Sequence, residues 1–487
     1  MFASLFKRLL TAALAISSCL VAARPAMPSL KPLTGEARDA ALAPLPGVTF
    51  RYGPPASQRG SKRNAMARFT KTKNYSHLHA YPGQRTGQLS ATRRLGAAHR
   101  AHGGGGGGAG YANITATNAF GTQYGLGVTL GRQELLLDLD TGSSDTWAFS
   151  TGTNCTDAAG EVVAARYCRF GPRYRGNLTS GGPVAGEHLY VAYGDGETVQ
   201  GPLGYVDVTV GGVRVRNQTV GLAGEAMWRG NNVSSGVLGL AYPALTNAFD
   251  GHEGHEDPYY AMQYSPVFSS MVDQGLVDAF FSVAINRAGG NSSAGTIGFG
   301  GIPEGIDGID YGTIGQTDII VADVANNKHS ATDYSFYTII PDGWYFGSST
   351  DDKKMPFIVD TGTTLIYLPT GKWTSTSDTI HIHSSPTSIN SMFYPPAVYS
   401  FMNGGYLTTC DAVTPRVAVV IGGTPFYLNP KDLLFRSMPD EITGLCMTAF
   451  NDGATGPFVL GDVFLKNVLA VFDVGENVLQ LASRLHY

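Results

Sequence analysis

The sequence predicts an all-β protein assembled from two similar halves. Three observations carry this. From Tyr111 onward, short segments rich in Val, Ile, Leu, Thr and Tyr recur between Gly, Asn and Asp, the pattern of strands and hairpins. The 63 Gly and 26 Pro weigh against long helices and coiled coils. An internal repeat also runs through the chain: Leu-Asp-Leu-Asp-Thr-Gly-Ser-Ser from Leu137 to Ser144 is echoed 220 residues later by Phe-Ile-Val-Asp-Thr-Gly-Thr-Thr from Phe357 to Thr364. A second echo, Val237-Leu238-Gly239-Leu240 and Val459-Leu460-Gly461-Asp462, has an offset of 222. No Gly-X-Y period is present, which excludes a collagen.

Taken in order, residues 1–23 read as a signal peptide, with Lys7 and Arg8 before the apolar run Leu9 to Leu20 and small residues Val21 and Ala23 at the cleavage spacing. No later stretch is apolar and long enough to span a membrane. Residues 24–94 are rich in Pro, Arg and Ala, carry the dibasic pairs Lys62-Arg63 and Arg93-Arg94, and read as a basic prosegment. Residues 95–110 are a linker containing six consecutive glycines, Gly103 to Gly108. No Lys-Ser/Thr follows them, so they are not a phosphate-binding loop. The body then divides at the repeat into residues 111–300 and 301–487.

Charge divides the chain the same way. Residues 24–110 carry 14 Lys+Arg against 2 Asp+Glu, a net +12, and residues 111–487 carry a net −18. The basic segment and the acidic body attract each other at neutral pH. An acidic body repels phosphates, so no nucleic-acid partner is expected.

Within the body, Tyr124 to Leu130, Glu134 to Leu139, Leu189 to Tyr193 and Tyr205 to Val210 read as strands. The best helix candidate is Ser265 to Gln274, with Ser265 as cap, Pro266 at the first helical position and Gly275 as the stop. Once Cys19 leaves with the signal peptide, Cys155, Cys168, Cys410 and Cys446 remain. Four cysteines in an oxidising compartment allow three pairings, and the expectation is Cys155–Cys168 with Cys410–Cys446. A zinc site is the weaker reading, because no Cys-x-x-Cys occurs. The sequons at Asn113, Asn177, Asn217, Asn232 and Asn291 are expected glycan sites, whereas Asn154 sits beside a disulfide cysteine.

Each Asp-Thr-Gly ends an apolar run, which places a carboxylate on a tight turn leaving a buried strand. Gly142 and Gly362 permit the turn and let a backbone N–H approach the carboxylate, and the Thr hydroxyl can lock it. If the halves pack about a pseudo-twofold axis, Asp140 and Asp360 meet. Two carboxylates that close share a proton and titrate as a pair. One can then act as base toward a water and the other as acid toward a carbonyl. Asp138 shares a strand face with Asp140 and is expected to line the cleft beside it.

These residues resemble the pepsin-like aspartic proteases, especially their secreted fungal members. The resemblance covers roughly residues 115–485. Its motifs are Asp140 to Trp147, Tyr193-Gly194-Asp195-Gly196, Gly236 to Tyr242, Ser265-Pro266-Val267-Phe268, Asp273 to Val277, Asp360-Thr361-Gly362-Thr363 and Val459-Leu460-Gly461-Asp462. The cysteine spacings fit two of the family's disulfides.

The resemblance implies a bilobal fold of two mostly antiparallel β lobes, related by a pseudo-twofold axis, with a long cleft between them. It implies hydrolysis of internal peptide bonds by an activated water, with no cofactor, metal or covalent intermediate. Asp140 and Asp360 are then the catalytic pair. Thr141 and Thr361 are the threonines bracing the two turns, and Ser143 and Thr363 bond the outer carboxylate oxygens. Tyr193 sits at the tip of a flap that closes over substrate, with Gly194 and Asp195 beside it, and Trp147 hydrogen-bonds the tyrosine. Val237 and Thr364 are expected near substrate, Val237 equally as a structural wall.

The implied partners are polypeptide substrates, the chain's own prosegment and pepstatin-type inhibitors, the protein being a monomer, secreted or held in an acidic vacuole. There are departures. The flap hairpin between Gly196 and Gly204 is about one residue longer than usual. Ser235 stands where Asp is common. The insert Asn247 to Tyr260 contains His252-Glu253-Gly254-His255-Glu256, whose histidines are three apart rather than four, so it reads as a solvated loop and not a zinc motif. His381 and His383 read as a surface hairpin.

Overall fold

The computed structural model describes residues 48–51 and 108–484, apart from 179–181, 252, 255, 258–259, 288–292, 325–328, 331–332, 370–384 and 454–455. The signal peptide, most of the prosegment with its dibasic pairs, the start of the glycine run, Asn291, His252, His255, His381 and His383 lie outside the described residues.

Strands dominate because the apolar residues alternate. In Tyr124–Leu130 the side chains of Leu126, Val128 and Leu130 are buried on one face, and the strand pairs antiparallel with Gln133–Asp140 through a two-residue turn. Gly236–Gly239 then inserts between Gln133–Asp140, to which it is parallel, and Thr146–Thr156, to which it is antiparallel. The second half repeats this arrangement. Val459–Leu460 lies parallel to Phe357–Val359 and antiparallel to Ile366–Leu368. Both sequence echoes therefore mark the same topological positions, and the two lobes form a bilobal, pepsin-like fold.

The lobes are joined by one sheet. Gly110–Ala116, Gly295–Phe299, Phe280–Ile285, Val468–Asp473, Val478–Arg484 and Ile309–Asp318 follow one another across it. The second-half strand Val468–Asp473 thus pairs with Phe280–Ile285 of the first half. The expected division at residue 300 falls at a connection within this shared sheet. Its floor is aromatic: Phe281 stacks on Phe472 at 4.7 Å, and Tyr337 meets Phe472 edge-on at 4.8 Å.

The helix is shorter than expected, Val267–Asp273, with Pro266 rather than Ser265 at the cap and no side-chain capping bond. The Ser265 hydroxyl is engaged elsewhere, donating to the Asp273 carboxylate at 2.9 Å. Gly275 does follow the helix end with a positive φ of 66°. The disulfides are Cys155–Cys168 and Cys410–Cys446, with Cα separations of 5.8 and 4.9 Å. Asn113, Asn177, Asn217 and Asn232 are exposed. Residues Val48–Arg51 pair antiparallel with Val321–Val324 of the second half.

Candidate active site

Asp140 and Asp360 each sit where a buried strand ends in its Asp-Thr-Gly turn, and the two turns lock together symmetrically. The Thr141 N–H donates to Thr361 Oγ1 and the Thr361 N–H to Thr141 Oγ1, both at 3.0 Å. Each hydroxyl in turn donates across the interface, Thr141 to the Val359 carbonyl at 3.0 Å and Thr361 to the Leu139 carbonyl at 2.9 Å.

The carboxyls are held in the same way. The Gly142 N–H donates to Asp140 Oδ1 at 2.7 Å and the Gly362 N–H to Asp360 Oδ1 at 2.8 Å. The Ser143 hydroxyl donates to Asp140 Oδ2, and Thr363 Oγ1 to Asp360 Oδ2 at 2.6 Å. A Cβ at position 142 would lie 2.6 Å from the Asp360 carboxyl, and one at 362 would lie 2.5 Å from Asp140 Oδ1. Only glycine lets the two turns approach this closely.

Asp140 and Asp360 are 9% and 8% exposed, so both carboxyls are largely out of water. Burial first, and then the neighbouring Asp360, hold the Asp140 carboxyl well above the usual range.

The flap is the hairpin Gly182–Ala192 and Thr198–Val210. Tyr193 follows the first strand, and Trp147 Nε1 donates to its hydroxyl at 2.7 Å. Burial, followed by the Asp140 charge, raises the Tyr193 phenol far above its ordinary value. The pairing of Thr198–Val210 with Val213–Met227 shifts register between Gln200 and Leu203, where the extra residue lies on the Gly221 to Glu225 side. Gly194 is exposed at the flap tip, and Asp195 Oδ1 accepts the Glu197 N–H at 3.0 Å.

Three expected substrate contacts fare differently. Asp138 is 8% exposed, and its Oδ2 already accepts Ser234 Oγ at 2.6 Å and Gln123 Nε2 at 2.9 Å. Burial pushes its carboxyl up to about 7. At acidic pH it is neutral, so it is a poor counter-charge for a substrate cation. Val237 is 4% exposed and packs with Trp147 and Leu189, so it is core rather than cleft lining. Thr364 spends its hydroxyl on the Thr122 carbonyl at 2.6 Å, a brace between the halves.

The acidic insert is also anchored. Glu256 Oε1 meets His188 Nε2 on the flap strand at 2.8 Å, with both side chains under a tenth exposed. A solvated reading of this loop fails at that residue because the insert folds back onto Gly182–Ala192, where its Ala248–Asp250 segment adds a strand.

Sequence reasoning assigned no role to Trp228, Arg229 or Glu197. The Trp228 ring packs edge-on against Tyr193 at 5.7 Å and Trp147 at 5.1 Å. It could have been found only by asking which aromatic reaches the flap tyrosine, because no motif surrounds it. Among the described residues no group of three or more His, Cys, Asp or Glu could hold a metal.

The profile of the eukaryotic aspartyl protease family matches residues 123–484, and the chain belongs to that family. It is 36% identical to a probable aspartic-type endopeptidase of Aspergillus fumigatus, over 77% of this chain and 81% of that protein. Rhizopuspepsin of Rhizopus chinensis is 28% identical, over 78% and 83%. The aspartic proteinase of Irpex lacteus shares the fold, with a TM-score of 0.57 and 20% identity over 77% of this chain and 97% of that one. The protein is an aspartic endopeptidase.

Proposed function

We propose that this endopeptidase is secreted as a zymogen and works at acidic pH through a water activated by Asp140 and Asp360. The observation that carries the reading is the pairing of two buried carboxyls in mirrored hydrogen-bond cradles. With one proton shared between them, the ionised carboxylate takes a proton from a water as its oxygen attacks the scissile carbonyl carbon. The protonated carboxyl gives its proton to the carbonyl oxygen. Collapse of the tetrahedral diol breaks the C–N bond, with a proton passing to the leaving amine. Tyr193 and the flap exclude bulk water over this centre. The test is cleavage of denatured haemoglobin or casein at acidic pH with and without pepstatin. Pepstatin-sensitive cleavage is expected, and pepstatin-resistant or purely neutral-pH cleavage would contradict the reading.

The basic segment 24–94 acts as an inhibitory prosegment. Its net charge opposes that of the body, and the pairing of Val48–Arg51 with Val321–Val324 gives it one point of attachment. Acidification protonates the body's carboxylates and weakens the attraction. Zymogen held at neutral pH should keep its N-terminus, by sequencing, and lose residues before about position 95 on acidification or after dibasic cleavage at Arg94. A form retaining Lys31 to Arg94 and fully active at neutral pH would rule this out. The four exposed sequons and the disulfides support an extracellular destination.

A further inference from the structure

The flap tip is tied on one side by a loop that no motif marks. Arg229 donates from Nη1 to the Asp195 carbonyl at 3.0 Å, and its backbone N–H donates to Glu197 Oε1 at 2.5 Å. These two bonds grip the middle and one end of the turn that carries Gly194 and Gly196. Inside the turn, the Tyr193 N–H donates to the Glu197 carbonyl at 2.8 Å and the Gly196 N–H to the Tyr193 carbonyl at 3.0 Å. Fixing Asp195 and Glu197 therefore fixes the backbone of Tyr193. The preceding residue, Trp228, packs on the Tyr193 ring at 5.7 Å.

The loop is anchored in its turn. The Gly230 N–H donates to the Cys168 carbonyl at 2.9 Å, the Asn232 N–H to the Arg169 carbonyl at 2.7 Å, and the Gly171 N–H to the Ser234 carbonyl at 3.0 Å. Cys168 is bridged to Cys155 on Thr146–Thr156, the strand that also carries Trp147. A covalent crosslink thus holds the loop whose arginine holds the flap.

We infer that Arg229 is a positioning residue that latches the flap tip and sets the affinity for extended peptide substrates. It acts through Tyr193 and does not reach the carboxyl pair. The inference rests on the endopeptidase activity for its kinetic readout only, since the latch is also visible as flap order.

The test uses the mature enzyme and the variants Arg229→Ala and Arg229→Lys, on one peptide spanning several residues each side of the cut. Amide hydrogen exchange of residues 193–197 is measured alongside. The latch predicts a KM raised about fivefold or more in Arg229→Ala, kcat within about threefold, and faster exchange confined to the flap. Arg229→Lys, which keeps a donor of similar reach, should recover at least half of the change on a logarithmic scale. Unchanged flap exchange in Arg229→Ala overturns the proposal even if the enzyme is inactive. Loss of kcat with unchanged KM, or exchange quickened throughout the lobe, also overturns it, because either marks a role other than holding the flap.

Discussion

The two Asp-Thr-Gly turns are held by nearly the same bonds, yet they stand in different surroundings. The symmetric part is the brace and the cradle: two threonines exchanged across the axis, two glycine N–H groups and two hydroxyls on the carboxyls. The asymmetry begins two residues away. Before Asp140 the first half carries Asp138, where the second carries Ile358. After the echoed glycine the first half has Leu240, where the second has Asp462. Asp462 is 1% exposed, neither of its oxygens has a hydrogen-bond partner among the described residues, and burial raises its carboxyl well above the usual range. The hairpin that carries Tyr193 at its turn belongs to the first half. The common bonds assemble the chemistry, whereas the differences govern protonation and access.

Breaking the symmetric part should have the largest effect. Asp140→Asn and Asp360→Asn are isosteric, so each should fold and each should lose about four or more powers of ten in kcat/KM. An Asp360→Asn enzyme, verified free of contamination, with substantial activity would remove the equivalence of the two turns. Thr361→Ala leaves the buried Thr141 N–H without its acceptor and should cost about 1–3 kcal/mol of stability. Thr141→Ala should cost a similar amount. Thermal unfolding of both variants checks this, and a large difference between them would show that the brace is not symmetric.

The asymmetric acids make stability depend on pH. Burial pushes Asp138 to about 7 and Glu197 to about 8, and raises Asp140 and Asp462. Above pH 4 the folded state therefore binds more protons than the unfolded chain. The sign is then fixed: stability falls as pH rises from about 4 to about 8. Asp138→Asn removes one such group. Relative to wild type, it should gain on the order of 2–4 kcal/mol between pH 4.5 and pH 8, read as a narrowing or reversal of the Tm difference. A pH-independent difference would mean that Asp138 does not stay protonated in the fold.

Much of this was legible in the sequence because repetition and turn chemistry are local. Asp140 and Asp360, the threonine brace, Tyr193 and Trp147 all belong to short motifs with fixed spacing, and the two disulfides followed from closeness along the chain. What stayed hidden depends on distant pairing. Asp138 reads from the sequence as a residue lining the cleft, but the hydroxyl of Ser234 and the amide of Gln123 that occupy it come from elsewhere in the chain. Thr364 meets Thr122 across 242 residues, and Glu256 meets His188 through an insert with no periodic pattern. Val237 is apolar in either role, and only its packing against Trp147 decides between them.

The smallest expected effect concerns Asp195. One oxygen caps the flap turn by accepting the Glu197 N–H, and Asp138, whose carboxyl burial pushes up to about 7, is neutral in acid. A lysine before the cut would then depend on Asp195 alone. Asp195→Ser should lower kcat/KM about tenfold on a peptide with Lys at that position while largely sparing the matching Phe peptide. Equal losses on both would assign Asp195 to turn structure, and no Lys cleavage by wild type would end the idea.

The central claim is that Asp140 and Asp360 work as one unit sharing a proton. Its most direct test is kcat/KM on a single uncharged peptide from pH 2 to pH 8. The account predicts a bell with both limbs on the acidic side of neutrality, one for ionising the first carboxyl and one for losing the shared proton. A profile that keeps rising through pH 7, or one with a single ionisation, would contradict it.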